Sequence, residues 1–255
     1  MTRLTVLCIS LIVISLMFVG LSNGKIDEES IMGMWLFDDG KGDIAKDSSG
    51  NGNDGTLMND PKWGSGKFDE AVELDGKDDY VEVPGTFSLA SVSFSITAWI
   101  NIMAEKNDMG VVNRGDQNAG TNTHLHCNIR GMKPLFGFYG NDLSGATTLS
   151  AGKWYFISWV YDEPNNVRQI YVNGVVDSQD KPPSAYQADH PLWIGRYYDL
   201  ARVFSGLIDE VAIFDVVLTE DDLKTIMNRG LGSMLAVSQS GKLTTTWGDV
   251  RSGKM

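Results

Sequence analysis

The stretch over residues 123–141 carries the largest group of side chains that could bind a ligand. Its sequence, THLHCNIRGMKPLFGFYGN, alternates between polar and apolar residues on both sides of a turn over 131–134, which is typical of a β-hairpin. Pairing Arg130 with Leu135 puts one polar set on a single face of this hairpin. We call this set the polar face, and its members are His124, His126, Asn128, Arg130, Tyr139 and Asn141.

The chemistry of the polar face is suited to a sugar. Imidazole, amide and guanidinium groups hydrogen-bond hydroxyls, and the phenol ring of Tyr139 can stack on a sugar ring. A solvated strand face is the alternative explanation. The opposite face of the hairpin is apolar and is therefore expected to pack in the hydrophobic core. Its members are Leu125, Cys127, Ile129, Phe136 and Phe138. Cys127 is therefore expected to be a buried, unreactive thiol.

A second group with possible chemistry lies in the stretch GLIDEVAIFDVVL, residues 206–218. On a regular strand Asp209 and Val211 share one face and Glu210 lies on the other, and both faces are otherwise apolar. Carboxylates in a buried strand need partners, and a bound cation is one candidate. Hydrogen bonds from backbone or water at the rim of the strand are the other.

The loop DSSGNGNDG, residues 47–55, offers oxygen ligands for a hard cation. Its glycines allow positive φ, and its Asp and Asn side chains can bond their own backbone or turn toward calcium. The acids lack the spacing of an EF-hand, so a plain turn explains the loop equally well.

Other metal and partner classes receive less support. His124 and His126 point the same way along a strand and could be two zinc ligands, but His190 belongs to a distant loop and would not supply the third. No serine or cysteine triad is visible. The chain has 33 acidic and 21 basic residues, and its formal net charge of −12 argues against a nucleic-acid partner.

The amino terminus predicts export. Arg3 precedes an uncharged apolar run over residues 4–19, and small residues near Gly24 are suitable for cleavage. Residues 1–24 are therefore predicted to be a secretory signal peptide rather than an uncleaved anchor. The mature protein is expected in the periplasm or outside the cell, with no membrane insertion after cleavage. Cys127 would be its single cysteine, which allows no intrachain disulfide.

Short β-branched and aromatic runs between turn signals predict the all-β framework that positions these groups. The predicted strands include 33–37, 71–74 and 80–84 as a tight hairpin, 94–100, 154–161, 167–172 before an Asn-Gly turn, and 192–196. Thr219, followed three residues later by Asp222, predicts the start of a short helix that Gly230 ends. The domain is assigned to 34–230, preceded by a linker over 25–33 and followed by a tail over 231–255 that could form a hairpin.

Seven motifs in this order and spacing resemble the laminin G-like jelly roll of the concanavalin A-like lectin/glucanase superfamily: MWLFDDG, DSSGNGNDG, VELDGKDDYVEVP, FSITAWI, IYVNG, LWIG and GLIDEVAIF. The resemblance implies a two-sheet antiparallel β-sandwich with one concave sheet, whose first and last strands are neighbours. It also implies that oxygens of the early loop share a structural calcium ion with an acid of the late strand. The metal ligands expected from it are Asp38, Asp47, Asn51, Asn53 and Asp209.

A shared fold does not fix the function, because this superfamily holds glucanases, lectins and adhesion modules. Its glucanases carry alternating acids along one strand, whereas here Glu73 and Asp75 are followed by Asp78 after an Asp-Gly turn, so no catalytic residue is predicted. We expect an exported, non-catalytic domain that binds carbohydrate or a glycosylated surface on its concave face and is stabilised by calcium. A protein-binding adhesion module, using loops such as 177–191, and a divergent glycosidase or lyase are the alternatives.

Overall fold

The computed structural model describes residues 26–85, 87–115 and 120–234, so the predicted signal peptide and most of the predicted tail lie outside the described residues. Within these ranges two antiparallel eight-stranded sheets form a sandwich, and one α-helix follows the last strand. The predicted all-β sandwich with a short C-terminal helix is confirmed. Its elements are β1 (Ile31–Trp35), β2 (Ile44–Ala45), β3 (Gly55–Met58), β4 (Lys62–Ser65), β5 (Glu70–Asp75), β6 (Tyr80–Val83), β7 (Phe94–Ile102), β8 (Asp108–Arg114), β9 (Leu125–Arg130), β10 (Lys133–Gly137), β11 (Asp142–Ser144), β12 (Trp154–Asp162), β13 (Val167–Val172), β14 (Val175–Asp180), β15 (Leu192–Ile194), β16 (Ser205–Phe214) and α1 (Glu220–Arg229).

The first sheet has the order β14, β13, β12, β7, β16, β5, β4, and β1 also pairs with β16. Trp35 of β1 is opposite Val211 of β16, so the predicted neighbourhood of the first and last strands is confirmed. The second sheet has the order β11, β10, β9, β8, β15, β6, β3, β2. It contains the hairpin of the polar face, which is formed by β9 and β10.

The main core lies between the two sheets. Phe94, Ile96, Ala98 and Ile100 of β7 belong to it, as the alternation of that strand predicts, and so does Cys127. Burial raises the pKa of the Cys127 thiol well above its usual value. A thiol that stays protonated is a poor nucleophile, which agrees with the expected unreactive cysteine.

A second apolar cluster covers the outer face of the first sheet. Thr219 and Asp222 form a capping box at the start of α1, and the helix ends at Gly230, as predicted. Leu223 and Ile226 are the buried residues of the helix and pack in one cluster with side chains such as Trp99. The helix therefore covers the first sheet, while the polar face belongs to the second.

The hairpin of β9 and β10 has a shorter turn than the sequence predicts. Arg130 pairs with Lys133 rather than with Leu135, because Gly131 and Met132 alone form the turn, with φ of 56° and 61°. Positive φ at both central residues is the type I′ geometry that matches the twist of paired strands. The predicted register is wrong by two residues, and a shift of two preserves which side chains share a face.

Two other local predictions are wrong. Strands β5 and β6 do not form a hairpin, since β5 belongs to the first sheet and β6 to the second. The turn between them, with Gly76 at φ 78°, carries the chain from one sheet to the other. The linker predicted over 25–33 also ends too late, because β1 begins at Ile31, which pairs with Phe214.

A β-bulge changes the faces of β16. Its register against β7 shifts between Asp209 and Ala212, and Glu210 has φ 50°. Asp209 is opposite Trp99, whose ring lies in the outer cluster, whereas Val211 belongs to the core between the sheets. The predicted sharing of one face by Asp209 and Val211 is therefore wrong, because the bulge inserts one extra residue into the alternation.

Candidate functional site

A row of outward-facing residues crosses the second sheet and forms the floor of the candidate site. Their strand neighbours, such as Val112, Cys127 and Phe136, point into the core, so these residues point away from it. Six consecutive pairings across seven strands define the row, which consists of Thr56, Glu82, Trp193, Asn113, His126, Gly137 and Asp142.

The loop after β15 folds back over this floor. It is closed by a bridge between Arg196 and Val203, and Tyr197 donates its backbone N–H to the Arg202 carbonyl over 3.3 Å. A Cβ at Gly110 would lie 2.3 Å from the Arg196 carbonyl carbon, so the loop backbone rests directly on β8. We call residues 196–203 the covering loop.

Arg196 fixes the covering loop to the sheet. Its guanidinium lies between the rings of Tyr80 and Trp193, 4.4 and 4.7 Å from their centroids. Its Nε and Nη2 each donate over 2.8 Å to the carbonyls of Tyr197 and Tyr198. The cation–π contacts and charged hydrogen bonds together hold the two tyrosines against the polar face.

Tyr197 of the covering loop and His126 of the floor form a buried hydrogen-bonded pair. The Tyr197 hydroxyl bonds Nε2 of His126 and lies 3.4 Å from Nδ1 of His124. On the other side of the ring, Nδ1 of His126 lies 3.4 Å from Oδ1 of Asp142. Gly137 permits this approach, because a Cβ there would lie 2.0 Å from the same carboxylate oxygen.

The electrostatics of this pair follow from its burial. Desolvation lowers the pKa of His126, and the nearby Asp142 carboxylate only partly opposes the effect. The hydrogen-bonding and charge of His126 and Arg130 hold the pKa of Asp142 down to about 2. Burial raises the pKa of Tyr197. At neutral pH His126 and Tyr197 are therefore uncharged, and Asp142 is ionised.

Arg130 is held by two carboxylates. Its Nη1 donates to Oδ2 of Asp142 over 2.8 Å, and its Nε donates to Oδ2 of Asp108 over 3.0 Å. Asp108 also accepts from Nδ2 of Asn128 over 3.1 Å and lies 3.7 Å from Nε of Arg202. The charged members of the site thus bind one another in one network.

Aromatic rings surround His124 at the edge of the floor. Its ring centroid lies 5.4 Å from Tyr139, 5.1 Å from Tyr198 and 6.4 Å from His190. Tyr139 is 43% exposed, and Tyr198 and His190 are half-buried. We call Tyr139, Tyr198 and His190 the aromatic rim. The rim is the part of the site that a ligand in solvent can contact.

The structure divides the predicted ligand residues into floor and rim. His124, His126 and Asn128 are buried, so they neither face solvent nor are placed to contact a ligand directly. Asn141 holds loops together, because its Oδ1 accepts from Phe138 and its Nδ2 donates to Asn122 over 2.5 Å. The Arg130 side chain is 39% exposed but is paired with two carboxylates, so Tyr139 is the exposed member of the predicted set that takes part in no ion pair.

Sequence reasoning missed several residues of this site. His190, which seemed distant, contacts His124, and Asp142 and Asp108 complete the charged network. The Arg-Tyr-Tyr-Asp run at residues 196–199, a polar aromatic cluster that could flank a binding groove, was the signal in the sequence for the covering loop.

The loop around Asp47 is held by its own hydrogen bonds. Oδ1 of Asp47 accepts from the backbone of Met34 and from the backbone and hydroxyl of Ser49, and Oδ2 accepts from the backbone of Asn53 over 2.8 Å. The side-chain amide nitrogens of Asn51 and Asn53 donate to carbonyls of β1 and tie the loop to that strand. A calcium ion at the Asp47 carboxylate would have to displace these donors.

Asp209 is a better match to a cation ligand. Its Oδ2 accepts from the backbone of Lys67 and Phe68 over 2.8 and 3.0 Å, while its buried Oδ1 has no hydrogen-bond partner among the described residues. Desolvation raises the pKa of Asp209 to about 8 and that of Glu210 to about 7, and the charge of Asp38 adds to both shifts. A hard cation would offset this accumulated negative charge.

The five expected metal ligands do not form one cluster. Within the described ranges, the only group of three or more acidic, histidine or cysteine side chains with ligand atoms within 4.8 Å of one another is Asp75, Asp78 and Asp79. These acids lie around the turn after β5, and Asp79 accepts there from the backbone of Asp75 over 3.1 Å. Asp38, Asp47 and Asp209 are not brought together in this way.

A comparison with models of protein families shows which superfamily the chain belongs to. Residues 75–224 match the model of a laminin G-type family that is described as the concanavalin A-like lectin/glucanases superfamily. The chain belongs to this superfamily. The matched range extends from the end of β5 into α1 and includes the whole polar face and the covering loop. A search of curated protein sequences found no match.

Several solved structures align over most of the chain. Domain 4 of AbnA, a GH43 extracellular arabinanase from Geobacillus stearothermophilus in complex with arabinotriose, has 19% identity and a TM-score of 0.65, with 78% of this chain and 98% of that one covered. The botulinum neurotoxin serotype D binding domain has 16% identity and a TM-score of 0.60, with coverage of 80% and 52%.

An enzyme is also among these structures. Trypanosoma rangeli sialidase in complex with sialic acid has 12% identity and a TM-score of 0.61, with 78% of this chain and 33% of the sialidase covered. The chain thus spans about half of the neurotoxin binding domain and a third of the sialidase. At these identities the alignments establish the shared fold. In the part of the chain that the structure describes, no helix is long and apolar enough to cross a membrane.

Proposed function

We propose that this protein is a non-catalytic carbohydrate-binding domain that holds a sugar ring against the aromatic rim. The observation that carries the proposal is the position of Tyr139, which is 43% exposed and lies beside His124, whose ring is buried at the edge of the floor. Exposed aromatic rings on a rigid polar base are suited to the apolar face of a sugar.

The rigidity of the base supports binding. The covering loop is fixed by Arg196 between two rings, and the floor is fixed by the pairs of Tyr197 with His126 and of Arg130 with Asp108. Groups held in place before a ligand arrives lose little conformational freedom on binding. The rim therefore needs no rearrangement of the floor to receive a ligand.

The structural neighbours agree with such a role. The arabinanase domain was solved with arabinotriose, and the neurotoxin domains are binding domains. The absence of a catalytic role is part of the proposal, and its support is that Asp75 and Asp78 lie around a turn instead of alternating along a strand. The release of reducing ends from the bound polysaccharide would contradict it.

Export and calcium belong to the same proposal. The charged start and apolar run of residues 1–24 support export, and amino-terminal sequencing of the mature protein should begin near Lys25. The buried, unpartnered Oδ1 of Asp209, next to the charge of Asp38, supports a structural calcium ion. Calcium there would supply positive charge to carboxylates whose burial otherwise favours protonation.

The test is binding of the mature protein, from Lys25 onward, to an array of glycans and polysaccharides with calcium and with chelator. The proposal predicts binding to at least one polysaccharide, at a site that competes with free oligosaccharide. Binding in calcium alone would connect the ion to the sugar site, and binding in both buffers would assign the ion a role in stability. Absence of binding in either buffer would contradict the proposal and favour a protein-recognition module.

A further inference from the structure

The charges around the proposed sugar site are paired with one another. Arg130 has Asp142 at 2.8 Å and Asp108 at 2.9 Å, and Arg202 has Asp199 at 3.2 Å and Asp108 at 3.7 Å. Two guanidinium groups thus face three carboxylates. The net charge of these five groups is negative, in a protein whose formal net charge is −12.

The guanidinium of Arg196 is also occupied by contacts within the protein. Arg196 lies between Tyr80 and Trp193 and donates to the carbonyls of Tyr197 and Tyr198. Moving it toward a ligand would release the covering loop. An anionic group entering the site would therefore have to break an existing ion pair or detach the loop to find a cation.

Asp142 keeps its negative charge beside the place where a ligand would bind. The hydrogen bonds and charges of His126 and Arg130 hold the pKa of Asp142 at about 2, so it is ionised throughout the neutral and mildly acidic range. His126 is buried and its pKa is lowered, so it offers no positive charge at neutral pH. The aromatic rings that a ligand can reach are those of Tyr139, which is exposed, and of the half-buried Tyr198 and His190.

We infer that the site is selective for neutral glycans, built from hexose or pentose units, and discriminates against glycans that carry uronate or sialate carboxylates. The inference rests on the proposed function, because it assigns the ligand class of that same site. Its physical basis is that an acidic sugar meets no exposed, unpaired cation among the described residues of the floor, the aromatic rim and the covering loop, and that it approaches a net negative network of ion pairs. A neutral sugar needs only stacking and hydroxyl bonds.

The sharpest test compares two forms of one polymer. Calorimetric or pull-down binding to polygalacturonate and to its fully methyl-esterified form varies the charge of each unit and leaves the backbone unchanged. A neutral panel of arabinan, galactan, xylan and glucan accompanies them. We expect binding within the neutral panel, and for the polymer pair at least tenfold weaker binding of the charged form than of the ester.

Two variants release the arginines. Asp199→Asn removes a partner of Arg202 on an accessible loop, and Asp142→Asn removes a partner of Arg130. Each should raise the ratio of acidic to neutral binding at least threefold, and added salt should reverse the gain. Asp199→Asn keeps the test valid if Asp142→Asn fails to fold, which a thermal melt would reveal.

The outcomes separate this inference from the proposed function. Neutral binding with rejection of the charged polymer supports both. Tight binding of polygalacturonate, equal to or above that of its ester, would overturn the neutral selectivity and leave carbohydrate binding in place. Absence of binding to every polymer would overturn both. Unchanged selectivity in the folded Asp199→Asn and Asp142→Asn variants would contradict the role assigned to paired charges.

Discussion

Gly137 lies directly opposite His126 on the neighbouring strand, and its missing side chain is what lets Asp142 approach the histidine. A Cβ at Gly137 would lie 2.0 Å from Oδ1 of Asp142 and 3.2 Å from Nδ1 of His126. Contacts this short cannot be accommodated without movement of the carboxylate. The glycine thus connects the polar floor to the charged network that holds Arg130.

Gly137→Ala should therefore destabilise the protein by displacing Asp142. We expect a loss of about 1–3 kcal/mol in the free energy of unfolding, typical of overpacking at a closed site, measured by urea denaturation. Gly120→Ala is the matched control, because a Cβ at Gly120 has no atom of the structure within 4 Å. Equal stability of the two variants would show that Asp142 does not need this space.

The lowered pKa of His126 predicts a pH dependence of stability. The unfolded chain binds a proton at a higher pH than the folded one, so stability is present above the ordinary histidine pKa and is lost as the pH falls below it. Between pH 7.5 and 5.5 this should cost about 1 kcal/mol. His126→Gln should remove that part of the slope.

Other groups do not obscure this comparison. Asp142, with a pKa of about 2, remains ionised in that pH range, and the pKa of Arg130 beside it is raised, so the guanidinium also keeps its charge. Asp209 and Glu210 titrate near neutrality but are present in both proteins, so their effect cancels in the difference. Parallel stability curves for the wild type and His126→Gln would contradict the assignment.

Substitution of Asp209 and substitution of Asp47, two of the expected calcium ligands, should have different effects on how the melting temperature responds to a chelator. Asp209→Asn keeps acceptors for the Lys67 and Phe68 backbone and removes the charge that a cation needs. A chelator should lower the melting temperature of the wild type by several degrees and leave Asp209→Asn unchanged. An identical wild-type melt in calcium and in chelator would argue against a structural ion.

Asp47→Ala serves as the contrast in that experiment. Its carboxylate binds the backbone of Met34, Ser49 and Asn53, so its loss should cost about 1–3 kcal/mol by leaving loop donors unpaired. The response to chelator should persist in this variant if Asp47 only forms the loop. A lost response would place the Asp47 carboxylate among the ligands.

Strand patterns and the order of the motifs made the β-sandwich predictable. The hairpin register and the faces of β16 were not, because they depend on unusual backbone conformations. The alternation of Phe94 to Ile100 and the capping box of Thr219 and Asp222 depend on local periodicity, which a sequence displays directly. Met132 and Glu210 adopt positive φ, at 61° and 50°. Side chains of this kind seldom adopt that conformation, so the sequence carries no signal for the type I′ turn or the bulge.

The candidate site was predictable only in part, because it is assembled from distant segments. The polar face was identified from its own alternation, but its burial depends on Tyr197, which lies 71 residues from its partner His126. The contact of the covering loop requires the bare backbone of Gly110, whose importance is invisible until the loop is in place. Contacts between segments distant in sequence therefore bury residues that were predicted to bind the ligand directly.

The most direct test of the account is the affinity of Tyr139 variants for the neutral polysaccharide that binds best, with arabinotriose as the first probe, measured by isothermal titration calorimetry. Tyr139→Ala should weaken binding about tenfold, or about 1.4 kcal/mol, and Tyr139→Phe should retain most of the affinity because stacking uses the ring. Val175→Ala, at a 55% exposed valine of the first sheet, is the control and should bind like the wild type. Unchanged affinity in a folded Tyr139→Ala variant would contradict a sugar site at the aromatic rim.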